Sequence, residues 1–444
     1  MIEFLLVFCC ALLLGVLSGL LPGIGGFAIM VASYPFLIHL DPVNIIIFYI
    51  TLVSIDQFFG GITSIVFGIP GFAASAPTIY EGHELFLKGR GSDAIIYSAF
   101  ASYFASIFSV ILIFLFLPYM WVLYKMWNTN VQAIILLFAS TALVLFSRNN
   151  ILISILLFIV GNFLAHVGWD EFNNSEFYTF GFVYLYSGIP LFPLLIMLFV
   201  LPNLVNSYIS YGSSKINFIP FYFESYFTYI KNMKQYFGTL VRSSLLGSFG
   251  GLVPGLTYGM STLLAYSIER YYQIKKKVYT KGNMSCLIAA EGSNNAGALT
   301  QLIPLLFLGI PITGSEALIY NILETRGMPV SIEWFQSTFS LVIFTFILSA
   351  TIGVFIAGKY INFLKFLNGM SLVKVYIFLG FLLFIMIGYT GYVNFSLEKY
   401  LIISFLLLPI GLLLYRFDTM PLIYGFVLHD LIYQTFIRIN AFYF

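Results

Sequence analysis

The stretch Gly19-Leu20-Leu21-Pro22-Gly23-Ile24-Gly25-Gly26 interrupts an apolar run, and its core returns as Gly251-Leu252-Val253-Pro254-Gly255 at an offset of 232 (251 − 19). A second pair follows in the same order, Gly68-Ile69-Pro70 and Gly309-Ile310-Pro311, at an offset of 241 (309 − 68). Two ordered pairs imply two related halves, the second with nine more residues between its motifs (241 − 232).

The surrounding sequence is 60% apolar and 9% charged, where a soluble domain carries about 25% charged residues. This composition excludes a soluble globular protein. At ~20 apolar residues per span, 444 residues allow roughly ten to twelve helices. The runs are long and unbroken, at 4–20, 43–59, 94–117, 131–146, 150–166, 180–206, 240–268, 284–310, 336–358, 372–389, 396–415 and 419–436. A closed barrel would instead show short alternating segments, so the fold expected is an all-α polytopic membrane protein. The 31 Tyr and 49 Phe suit a lipid interior and its interfaces. Met1-Ile2-Glu3-Phe4 enters an apolar run with neither a basic n-region nor a small-residue cleavage site, so this segment is expected to remain as a membrane helix.

Twenty Lys and Arg against 18 Asp and Glu give no reason to expect nucleic-acid binding. Cys9, Cys10 and Cys286 lie in apolar runs; without a disulfide framework or C-x-x-C spacing they read as small core hydrophobes. Between 207 and 238 the composition shifts to Asn, Ser, Tyr and Lys. The expected organisation is therefore a first half at 1–206, an interfacial linker at 207–238, and a second half at 239–444.

The turn Ile38-His39-Leu40-Asp41-Pro42 contains no Lys or Arg, whereas its counterpart carries Arg270, Lys275, Lys276, Lys277 and Lys281. By the positive-inside rule the second turn is cytoplasmic and the first external. Equivalent turns on opposite faces mean inverted repeats, with a site near the midplane.

Proline and glycine breaks survive in lipid only where protein or a water-filled cavity satisfies the freed backbone. The breaks are paired: Pro22 with Gly23, Gly25 and Gly26; Pro254 with Gly255 and Gly259; Pro70 with Gly68 and Gly71; Pro311 with Gly309 and Gly314. Half-helix N-termini offer partial positive charge to an anion, and freed carbonyls can hold Na⁺. Small polar residues gather there: Thr63, Ser64, Ser75 and Thr78 in the first half, and Thr257, Ser261, Ser293, Asn294, Asn295, Thr300, Thr313 and Ser315 in the second. The candidate substrate contacts are Gly23, Gly25, Thr63, Ser64, Gly71, Gly255, Thr257, Asn294, Asn295, Thr313 and Ser315. An Asn pair facing lipid would be costly, which singles out Asn294-Asn295.

These motifs resemble the TctA family, the large membrane subunit of tripartite tricarboxylate transporters. Gly19-Leu20-Leu21-Pro22-Gly23-Ile24-Gly25 is similar to its first motif, and Gly60-Gly61 through Gly68-Ile69-Pro70-Gly71, with Gly82 and Lys88-Gly89-Arg90, to its second. Glu291-Gly292-Ser293-Asn294-Asn295-Ala296, Ile303-Pro304-Leu305-Leu306 and Gly309-Ile310-Pro311 carry the likeness through the other half. Weaker echoes are Thr179-Phe180-Gly181, Gly188-Ile189-Pro190 and Pro421-Leu422-Ile423-Tyr424-Gly425-Phe426. The resemblance implies a cation-coupled importer of small carboxylates, usually driven by Na⁺, in a bacterial or archaeal cytoplasmic membrane. It also implies a small four-helix membrane subunit and a periplasmic solute-binding protein as partners, and no cofactor beyond the coupling ion.

The sequence departs from the family pattern in being shorter and in reading Gly309-Ile310-Pro311-Ile312-Thr313-Gly314-Ser315 where the family has Gly-Ile-Pro-Gly-Ser. Asp56 and Glu316 fall where members carry small or neutral residues. An acid within the membrane is a functional hypothesis by default, so both are candidates for cation coupling, and their charge points to a smaller, less charged or zwitterionic solute. Glu291 lies inside the motif and is expected to order the Asn pair or contribute to a cation site. Lys88 and Arg90 read as topology anchors. Catalysis finds little support: His83-Glu84 lacks the second histidine of a zinc motif, with Leu87 in its place, and the adjacent His429-Asp430 point in different directions on a helix. Alternatives to the tripartite permease are a stand-alone carrier and a membrane enzyme acting on lipid-linked substrates.

Overall fold

The computed structural model describes residues 2–20, 25–125, 129–147, 149–170, 174–211, 226–253, 258–327, 332–364, 372–394 and 396–443. These residues are predominantly helical, and their one sheet is a small hairpin pairing Gly168–Asp170 with Ser175–Phe177. Among them, seven helices are long and apolar enough to cross a membrane: Ile2–Gly19, Pro42–Phe67, Gly91–Tyr119, Leu191–Ser210, Gln336–Ala357, Val373–Val393 and Leu397–Arg416. Two further apolar helices, Gly25–Leu37 and Ile151–Ala165, are shorter. The protein is an all-α polytopic membrane protein.

Burial sorts these helices. The 42–67 helix is enclosed along its whole length, which its apolar character all round permits. The outer helices turn Phe381, Phe384, Phe405 and Leu413 outward, a surface suited to lipid. Cys9 and Cys10 are exposed, contrary to the core reading, while Cys286 is buried.

The breaks reshape the expected runs. The second run continues through Gly60-Gly61 to Phe67, where Gly68 adopts φ 64° and ends the helix. The 240–268 run divides into Phe237–Leu252 and Tyr258–Lys275, and the 284–310 run into Met284–Thr300 and Leu302–Leu308. The 180–206 run begins only at Leu191, because Phe180, Gly181 and Gly188 hold positive φ. Of the 207–238 linker, 212–225 lie outside the described residues; Tyr226–Met233 is helical.

Helices 2–20, 25–37, 42–67 and 91–125 are followed, in the same order, by 237–252, 258–275, the consecutive pair 284–300 and 302–308, and 332–364. Two close glycine contacts correspond between the two sets. A Cβ on Gly15 would meet the Leu52 carbonyl oxygen, and one on Gly247 the Ser293 carbonyl oxygen. A Cβ on Gly19 would meet Phe59 and the Gly60 nitrogen, and one on Gly251 would meet Thr300 and the Gln301 nitrogen. The glycines differ by the first offset, 232, and their partners by the second, 241.

The 42–67 and 284–300 helices run antiparallel where they touch. Near one end Gln301 Nε2 donates to the Tyr49 hydroxyl at 3.2 Å. Further along, a Cβ on Gly61 would come within 2.8 Å of both Glu291 carboxylate oxygens. Tyr49 and Gly61 bracket Ile55, and Glu291 and Gln301 bracket Ala296, so the crossing is centred on two residues one repeat offset apart (296 − 55 = 241).

Candidate functional site

A helix that restarts after a break leaves its first N–H groups without intrahelical partners, and each described break supplies acceptors for them. After Pro70, the Gly71 N–H donates to Ser64 Oγ at 3.4 Å and the Phe72 N–H to Ser75 Oγ at 3.2 Å. After Pro311, the Ile312 and Thr313 N–H groups donate to Glu316 Oε2 at 2.8 and 3.0 Å. The Glu316 N–H in turn donates to Thr313 Oγ1 at 3.3 Å, completing a capping box. The preceding helices end alike, with Gly68 at φ 64° and Gly309 at φ 68°.

Asp56 serves a third helix end. Its Oδ1 accepts the Ser18 hydroxyl at 2.5 Å and its Oδ2 the Gly26 N–H at 3.1 Å, in the first turn of the 25–37 helix. The breaks also adjoin: Gly71 packs against the Gly60 Cα and the Gly19 carbonyl, Gly25 against Phe72, and Gly314 against the Phe27 ring. Thr63 donates to the Gly19 carbonyl at 2.6 Å, and Ser64 to Ser75 at 2.9 Å. Ser315 is buried in the first turn after Thr313. Pro22, Gly23, Pro254, Gly255 and Thr257 lie outside the described residues.

Of the three buried acids proposed for coupling, Glu291 is held differently. Thr78 donates to its Oε1 at 2.5 Å. Ser98 stands beside the carboxylate, yet no group among the described residues meets Oε2 in hydrogen-bond geometry. Asn294 and Asn295 follow on the same helix, are at most 1% exposed, and have no partner for either amide atom among the described residues. The sequence motifs brought these three residues to attention; the structure adds Gln57, fully buried and likewise without a partner at either amide atom among the described residues. A glutamine within an apolar run was its available signal. Buried polar groups are nearly always hydrogen-bonded, so this concentration of polar atoms without a described partner makes the seam the candidate site. Two crevices are lined mainly by apolar side chains such as Phe199, Leu379, Ile113 and Phe249, whereas Gln57, Glu291, Asn294 and Asn295 are buried.

At the periphery Lys88 pairs with Glu84 at 3.3 Å and Arg90 with Asp93 at 2.9 Å. Both are exposed pairs of the kind that add little stability. His429 meets His166 at 3.2 Å and Asn162 at 3.0 Å.

Discontinuous helices around a buried polar centre define a class of polytopic membrane protein built for solute passage. The chain belongs to the tripartite tricarboxylate transporter TctA family, whose model matches residues 5–424. It is similar to an uncharacterised 52.8 kDa protein from the TAR-I ttuC' 3' region of Agrobacterium vitis, 27% identical over 73% of this chain and 64% of that protein. An uncharacterised protein of Methanocaldococcus jannaschii is 23% identical over 94% of each chain. A shorter match, 33% identical over 18% of this chain and 34% of the relative, is to an uncharacterised protein from the TAR-II ttuC' 3' region of Agrobacterium vitis. The chain thus spans less than two thirds of the length of both Agrobacterium relatives. No solved structure matches the chain.

Proposed function

We propose that the chain is the permease subunit of a cation-coupled tripartite uptake system for small carboxylates, with Na⁺ the coupling ion. A single observation carries this reading: in a member of the TctA family, the helices that lead into the paired Gly68 and Gly309 breaks meet at a buried cluster of amides and one carboxylate. Within it, a solute carboxylate meets the side-chain N–H₂ groups of the buried amides. A small four-helix membrane subunit and a periplasmic binding protein complete the system in the cytoplasmic membrane.

Two structurally related halves in inverted topology belong to the same proposal. A two-fold axis perpendicular to a helix relates it to an antiparallel copy, whereas an axis along it gives a parallel one. The antiparallel crossing centred on Ile55 and Ala296 supports an axis in the membrane plane, as in transporters that alternate access around a midplane site. Rocking of one half against the other would then open the seam to each side in turn.

The test is uptake into proteoliposomes from a panel of mono-, di- and tricarboxylates, with and without a Na⁺ gradient and the binding protein. Accumulation that requires the gradient is the expected result. Folded protein that accumulates none of the panel under any of these conditions would overturn the reading.

A further inference from the structure

We propose that Gln57, Thr78, Glu291 and the Asn294-Asn295 pair form one binding site for a monovalent alkali cation at the crossing of the 42–67 and 284–300 helices. The proposal deepens the permease reading and rests on it for the purpose the ion serves.

Register assembles the site. Gly61 faces the Glu291 carboxylate, and Gln57 lies four residues before Gly61 on the same helix face. Asn294 and Asn295 lie three and four residues after Glu291 on their own helix. Because the helices are antiparallel, both steps lead in the same direction, about 5–6 Å from the carboxylate at 1.5 Å per residue. Gln57 and the Asn pair therefore occupy one level, with Glu291 and Thr78 immediately beyond it. All five residues are at most 1% exposed.

Charge and chemistry select the ligand. The ion pairs among the described residues, Lys88 with Glu84, Arg90 with Asp93 and Arg242 with Glu269, all lie elsewhere, so none of them neutralises Glu291. An anion alone would meet a carboxylate there. Divalent ions favour several carboxylates or retained water, whereas one carboxylate with amide and hydroxyl oxygens suits a hard monovalent ion. The other two acids considered for coupling are engaged: Asp56 by Ser18 and Gly26, and Glu316 by Ile312, Thr313 and Tyr49. Among the described residues Glu291 keeps Oε2 without a partner in hydrogen-bond geometry, with the Ser98 hydroxyl close by, and the amides find no partner at either end. Their N–H₂ groups leave the Asn pair able to receive a solute carboxylate beside the ion. Two ligands precede the linker and three follow it, so a bound ion draws the two parts of the chain together.

The test is thermal unfolding of the purified protein in detergent as NaCl replaces choline chloride at constant ionic strength. The wild type is expected to show a saturable rise in unfolding temperature. Glu291→Gln and Gln57→Met should raise the half-saturating Na⁺ concentration at least about tenfold. Gln57→Met removes an amide that no described group partners while nearly conserving volume, so in choline alone it should unfold at no lower temperature than the wild type. A structural role for Gln57 would lower that temperature instead. Absence of any Na⁺ response in the wild type, or an unchanged half-saturation in both variants, overturns the site. Parallel uptake measurements separate the two claims. Gradient-driven uptake with an unchanged Na⁺ response in the variants removes the site and leaves the permease; a variant-sensitive Na⁺ response without uptake of any carboxylate removes the permease and leaves the site.

Discussion

Ser75 and Glu316 occupy the same station in the two broken helices. They are one repeat offset apart (316 − 75 = 241), and each accepts the N–H of the residue three positions before it, Phe72 at 3.2 Å and Thr313 at 3.0 Å. Both helices restart inside the protein and must satisfy N–H groups that water would otherwise meet. The first uses two hydroxyls, Ser64 and Ser75, and the second a single carboxylate that serves both Ile312 and Thr313. Glu316 thus has a local task arising from the loss of a hydroxyl partner at the position equivalent to Ser64, which is Leu305.

That task predicts how Glu316 variants behave. Glu316→Ala leaves two buried N–H groups unmet and should cost about 1–2 kcal/mol of stability. Glu316→Ser adopts the acceptor used at the other break and should lose less. Unfolding in denaturant gives the ranking, and Na⁺-dependent uptake supplies the second readout. Glu316→Ser with near-normal stability and no Na⁺ dependence would assign this acid to coupling rather than capping.

Gly247 and Gly61 make opposite predictions although both sit at tight helix contacts. A Cβ on Gly247 enters the Ser293 carbonyl oxygen, part of a buried backbone that cannot retreat. Gly247→Ala should therefore lose about 3 kcal/mol or more, as severe overpacking does. On Gly61 the new Cβ lies 2.8 Å from the Glu291 carboxylate oxygens, the far end of a flexible side chain. Gly61→Ala should fold with a loss under about 1 kcal/mol while displacing the carboxylate and impairing uptake. Expression yield and unfolding temperature, read beside uptake, distinguish the two; similar losses of stability in both variants would contradict this account.

Helical class and the motif pairs are legible because each depends on composition or local spacing, and the motif singles out Glu291 with Asn294-Asn295 as candidates. The crossing partners were not. Gln57 comes to the level of the Asn pair only through the antiparallel register fixed by Tyr49 with Gln301 and Gly61 with Glu291, more than 200 residues apart in sequence. Asp56 and Glu316 stood out as scarce charge, yet their hydrogen bonds to Gly26, Ile312 and Thr313 depend on where each helix restarts. Breaks are easier to read from Pro and Gly than the groups that repair them.

Asp56 and Ser18 should behave as a unit. Asp56→Ala leaves the Ser18 hydroxyl and Gly26 N–H without their carboxylate, at a cost of about 1–3 kcal/mol. Ser18→Ala alone should cost less, since the Gly26 bond persists. Added to Asp56→Ala, it should cost almost nothing further, giving a double-mutant coupling of about 0.5–1 kcal/mol or more. Additive losses would show that the 2.5 Å contact carries no energetic coupling.

The last prediction concerns orientation. His39 and Lys276 are exposed in turns that precede equivalent helices, 42–67 and 284–300, and these helices cross antiparallel about Ile55 and Ala296. Two antiparallel spans must start on opposite sides of the bilayer, and the lysines around Lys276 assign that turn to the cytoplasm. With Cys9, Cys10 and Cys286 replaced, a cysteine at His39 should react with an impermeant maleimide added to intact cells, and a cysteine at Lys276 only after permeabilisation. Reaction of both from the same side would be incompatible with the inverted arrangement. Reaction of each from the side opposite to that expected would preserve the inversion but overturn the cytoplasmic assignment of the basic turn.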